Sequence, residues 1–167
     1  MSKLLHLINR LKAQANIKML TASQAVAYDE LSKRWRFPDR INLCGSEGSG
    51  KTFLGWVMAR ESGAYFYPNS QTFEQDLPLY SPGLIIDNAP TEEKKLRRLL
   101  SEIQLRQVQK VLLITQKPIK VGFPIVTLIP PTEEDIAMFY KNLNDLNFYA
   151  AQHLNQTNFW TLINSAL

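Results

Sequence analysis

An α/β fold built on a parallel sheet is what this sequence predicts, and three observations predict it. Short apolar runs alternate with stretches of helical periodicity. Those runs are apolar along their whole length, as strands buried on both faces are. A glycine-rich turn joins the first of them directly to a helix.

Taken in order, residues 4–15 place Leu4, Leu7, Ile8, Leu11 and Ala15 at helical spacing, with Lys3, Arg10 and Lys12 elsewhere on the turn. Residues 21–36 read as a second helix with Thr21 as N-cap and a basic-aromatic end, Lys33-Arg34-Trp35-Arg36-Phe37. Pro38-Asp39 punctuates before the strand 41–44. A helix over 51–62 follows the glycine turn and stops at Gly63. The aromatic strand 64–67 comes next, then a loop with Pro68, Pro78 and Pro82, whose proline content argues against regular structure. Residues 83–87 form a buried strand ending in a carboxylate, and 91–109 a long charged helix capped at Thr91. Residues 111–115 and 125–129 are two further buried strands. After Pro130-Pro131, the acidic start Thr132-Glu133-Glu134-Asp135 suits the positive end of a helix macrodipole. A last helical segment is expected around 148–166. The division that results is an N-terminal helical segment (1–37), a sheet-and-helix core (38–130) and a short helical lid (131–167).

Composition bounds the function. At 167 residues, 45% hydrophobic and 20% charged, the chain suffices for one domain with a substantial core. The single cysteine, Cys44, excludes a disulfide framework and a multi-cysteine metal site, and reads as a buried small hydrophobe. His6 and His153, far apart in sequence, argue against zinc. No run approaches the ~18 apolar residues of a membrane span. The first apolar stretch is interrupted by His6, Asn9 and Arg10, unlike a signal peptide, so a cytoplasmic address and no membrane partner are expected. The net charge of +4 is uneven: residues 1–40 carry eight Lys/Arg against three acids, and 131–167 one lysine against four acids. A basic N-terminal face of this kind suits an acidic partner, nucleic acid included.

The chemistry lies in Gly45, Ser46, Glu47, Gly48, Ser49, Gly50, Lys51 and Thr52, which match the phosphate-loop pattern G-x-x-x-x-G-K-S/T at every position. Strand before and helix after supply the context the pattern requires. Backbone N–H groups converge on an anion at the helix N-terminus, Lys51 adds a point charge near the β- and γ-phosphates, and the Thr52 hydroxyl suits Mg²⁺. A nucleoside triphosphate is the expected ligand. Asp87 supplies the other half. It ends an apolar strand, and in a parallel sheet the C-terminal strand edges line the ligand crevice, where a carboxylate can join Thr52 in the Mg²⁺ shell. Asn88 follows, an amide that can orient water but cannot take its proton, so slow hydrolysis is expected. Thr115 and Gln116 end the next strand at the level of a γ-phosphate or attacking water. Arg106 is the last arginine, which leaves 61 residues with only lysines to offer a lid cation.

With these residues in view, the chain resembles the DnaA-related branch of the AAA+ ATPases from about Leu20 onward. The resemblance rests on residues 43–54, on Leu84-Ile85-Ile86-Asp87-Asn88, on residues 112–118 and on Pro130 to Asp135. It implies Gly45 to Thr52 as Walker A, Asp87 as Walker B and Thr115 or Gln116 as the sensor-1 region, with ATP and Mg²⁺ as cofactors. The departures are the short passage from Lys117 to Pro124, where the family carries an arginine finger, and a lid with no arginine near Asn158-Phe159-Trp160. The function this implies is an ATP-binding adaptor or regulator in a DNA transaction (replication control, helicase loading, or a mobile-element or defence assembly). Weak or partner-dependent ATPase activity and a protein partner go with it. A small phosphoryl-transfer kinase and a degenerate structural subunit are the competing readings.

Overall fold

Strands that are apolar at every position are satisfied only inside a sheet covered on both faces. The computed structural model, which describes residues 2–76, 82–150 and 158–167, is arranged in this way. Strands β1 (Asp39–Cys44), β2 (Tyr65–Tyr67), β3 (Leu84–Ile86), β4 (Lys110–Thr115) and β5 (Ile125–Thr127) lie in the order β2-β3-β4-β1-β5. Every neighbouring pair is parallel. The C-terminal ends of β1, β3 and β4 therefore open on the same edge.

Alternation along the strands divides the core between the two faces. Val111 and Leu113 of β4 pack with Leu84 and Ile86 under α4 (Ser70–Gln75) and α5 (Glu93–Leu105). Leu112, Ile114, Ile85, Ile41 and Leu43 face the larger cluster. That cluster includes α1 (Lys3–Gln14), α2 (Ala22–Trp35), α3 (Lys51–Ser62), α6 (Glu133–Asp145) and α7 (Phe159–Ser165). Helix α5 shows why these segments are helices. Leu96, Leu99 and Ile103 recur at helical spacing and are buried, while Glu93 and Arg97 pair across one turn on the exposed side.

Several local expectations change. The proline-rich loop after β2 contains a helix, α4, because Asn69 caps the Thr72 N–H and Phe73 is fully buried against Tyr67; Pro78 lies outside the described residues. Helix α5 takes Glu92 rather than Thr91 as N-cap and closes at Leu105, and Gln107 turns the chain at φ 55. Strand β3 ends at Ile86, which puts Asp87 in the turn just beyond it, and β5 ends at Thr127. Of the last helical segment only Phe159–Ser165 is helix among the described residues; 148–150 are not, and 151–157, with His153, lie outside them. Trp35, in the basic-aromatic cluster, is a core residue, whereas Phe37 is exposed.

Candidate functional site

The phosphate loop leaves β1 at Gly45 and enters α3 at Lys51. Gly48 (φ 72) and Gly50 (φ 89) occupy the left-handed region that side chains disfavour, which explains glycine at both. Gly50 is the N-cap of α3, so the free N–H groups of the helix's first turn face the site. Lys51 is buried and donates from Nζ to the Ser46 carbonyl at 2.6 Å. Burial pulls its ammonium below the usual lysine value, against the opposing pull of Asp87, Cys44 and Glu47. Cys44 itself is buried at the end of β1, as its sequence context suggests.

Across the crevice, Asp87 accepts from the Thr52 hydroxyl at 2.6 Å and from the Asn88 N–H at 2.8 Å. Burial raises the Asp87 carboxyl above the usual range, and those two donors with Lys51 only partly offset it. Two hard oxygen donors 35 residues apart in sequence therefore touch in space, a donor set suited to Mg²⁺. Asn88, at φ 48, donates its amide to the Pro68 carbonyl at 3.1 Å, which ties it to the end of β2.

Thr115 and Gln116 line the same cavity of about 440 Å³ as Lys51, Thr52, Asp87 and Asn88. Their side chains differ. The Thr115 hydroxyl donates to the Lys117 carbonyl at 2.7 Å and accepts from the Asn42 amide at 2.9 Å, so its capacity is committed. Gln116 is exposed at the cavity and is the freer of the two.

Three contributors escape sequence reasoning. Asn42, fully buried in mid-strand, bonds the Leu113 carbonyl, the Thr115 hydroxyl and the Ile119 N–H, and so fixes the end of β4. A lone amide within Ile41-Asn42-Leu43 was its only signal. Gln24 donates to the Gly50 carbonyl from the first turn of α2. At the other side, the Phe159 N–H donates to the Gly48 carbonyl at 3.0 Å and the Asn158 amide to the Glu47 carbonyl at 3.3 Å. The start of α7 thus rests on the loop, and Trp160 lines the cavity.

Arginines are elsewhere. Arg60 and Arg106 donate to backbone carbonyls, Arg97 and Arg98 pair with Glu93 and Glu74, and Arg34 pairs with Glu30. Arg10 lies over Phe148, and Arg36 and Arg40 flank the opposite end of β1. Among the described residues, Lys51 is the one cation lining the cavity.

This sheet order, with a phosphate loop after β1 and a carboxylate after β3, is an α/β P-loop fold that solved structures of DnaA and RuvB share. A replication initiator DnaA bound to AMPPCP and single-stranded DNA superposes with a TM-score of 0.66 at 13% identity, over 92% of this chain and 63% of that one. DnaA from Aquifex aeolicus, bound to AMPPCP, gives 0.55 at 12% over 86% and 60%. The Thermotoga maritima RuvB Holliday junction branch migration motor gives 0.51 at 17% over 77% and 50%. At such identities the likeness is one of fold, and the chain spans about three-fifths of the DnaA structures. No protein-family model and no curated protein matches the sequence.

Proposed function

We propose that this chain binds ATP with Mg²⁺ and acts as an AAA+-like adaptor or regulator in a DNA transaction in the cytoplasm, with weak hydrolysis of its own. Residues 38–130 serve as the ATPase core and 131–167 as a short lid. Gly45 to Thr52 would hold the phosphates, and Thr52 with Asp87 would hold the metal, which when bound supplies charge neutralisation at the phosphates. The observation that carries the reading is the cation count. Among the described residues, one lysine faces Asp87 and Glu47 in the cavity and no arginine lines it. An arginine that meets transition-state charge contributes about 10³–10⁵ in rate, so a partner must bring it for turnover to be fast. Asn88, held by Pro68, does not serve as a base.

A kinase reading lacks the cationic lid that phosphoryl transfer uses: among the described residues α6 carries one lysine, Lys141, and α7 none. Phosphate release in Mg·ATP by the purified chain tests the proposal. Turnover well below ~1 s⁻¹ is expected, and a rate at the ~10 s⁻¹ enzyme median contradicts it.

A further inference from the structure

We propose that Gln24 is a positioning residue for the phosphate loop, an inference that rests on the nucleotide reading above. Helix α2 begins with a capping box, in which the Gln24 Oε1 accepts the Thr21 N–H at 3.0 Å. This leaves the other end of the same amide free, and its Nε2 donates to the Gly50 carbonyl at 3.1 Å, 26 residues away. Gly50 is the left-handed N-cap of α3, and its carbonyl also accepts the Leu54 N–H that opens that helix. In a phosphate loop the N–H groups serve the anion only if the carbonyls are turned outward. Gln24 holds this carbonyl outward from behind the loop. A Cβ at Gly50 would collide with the Gln24 amide, so the contact is close.

The turn that carries Gln24 is itself anchored. Ser23 donates from its N–H at 2.8 Å and its hydroxyl at 2.6 Å to Asp135, which is fully buried at the start of α6. Asp135 also accepts from the Thr132 N–H and hydroxyl, so one carboxylate caps α2 and α6 together. The first turn of α2 is therefore a strut between α6 and the loop. Gln24 is 2% exposed and borders the apolar cavity of about 220 Å³ behind Gly48, Gly50 and Thr52.

Two substitutions separate bracing from helix capping. Gln24→Glu keeps the acceptor for Thr21 N–H, since Glu serves in capping boxes as well as Gln. It sets a carboxylate oxygen against the Gly50 carbonyl in place of the donor. Gln24→Met fills the same space with no polar atom. Mg·ATP titrated calorimetrically into folded protein at pH 8 should bind about tenfold more weakly to both variants. The melting temperature of Gln24→Glu by circular dichroism should lie below wild type at pH 8, where a buried carboxylate faces the Gly50 carbonyl, and should recover as pH falls. Binding is therefore compared at a temperature at which all the proteins are folded. The binding deficit of Gln24→Glu should narrow as pH falls, because a protonated carboxyl can donate to Gly50, and the deficit of Gln24→Met should not. Wild-type affinity in Gln24→Met overturns the bracing role alone. A wild type that binds no Mg·ATP overturns the nucleotide reading and this role with it.

Discussion

Asp87 and Asp135 are buried carboxylates with opposite histories. Asp135 has four donors; burial alone would raise its carboxyl, but Ser23 and Thr132 outweigh this and hold it at about 2, below the usual 3.8. A carboxyl depressed on folding stabilises the fold above its unfolded value, and that stabilisation is lost as pH falls from 3.8 through about 2. Its contribution is about 2 kcal/mol. Asp135→Asn, which turns an amide donor toward donors, should lower unfolding free energy in urea by at least that much at pH 7. Asp87 is the reverse case. Its ionised form is disfavoured by burial, so at neutral pH the charge costs the empty protein stability. Asp87→Asn should therefore raise the melting temperature while abolishing the Mg²⁺ dependence of nucleotide binding, and a lower melting temperature would count against this reading of the site. Functional groups held against their own solvation commonly show such a trade-off.

Elements place these residues, and here the sequence is an uneven guide. The loop, the strand before it and the carboxylate 35 residues on are local patterns, and their meeting at 2.6 Å follows from parallel strands opening on one edge. Gln24 is half legible: Thr21-x-x-Gln24 signals a capping box, but its bond to Gly50 depends on how α2 packs on α3. Asn42 and the Asn158-Phe159 contact are non-local altogether, and α4 was hidden by the prolines around it. Asn42 carries the clearest consequence at this scale. It joins β1, β4 and the turn at Ile119, so Asn42→Leu leaves the Ile119 N–H and the Thr115 hydroxyl without that partner. A loss of about 2–4 kcal/mol in chemical denaturation is expected, with a matching rise in amide exchange along β4.

At the scale of the molecule, the sheet separates two surfaces. The cavity lined by Lys51, Thr52 and Asp87 opens at the C-terminal strand edge, and Arg36, Phe37, Arg40 and Lys110 lie at the other, about 16 Å away along β1. Lys33 and Arg34 are paired with Asp29 and Glu30, so Arg36, Arg40 and Lys110 are the cations of this face without an ion pair among the described residues. If the face meets DNA, Arg36→Ala with Arg40→Ala should lower affinity and flatten its dependence on salt by about two phosphate contacts while nucleotide affinity is unchanged. An unaltered salt slope would assign the face to a protein partner.

The decisive experiment on whether ATP enters the loop at Lys51 is calorimetric titration of Mg·ATP into wild type and Lys51→Ala. Saturable binding is expected in the wild type and its loss in the variant, with both chains folded by circular dichroism. Equal affinity in the two proteins would contradict ATP entry at Lys51.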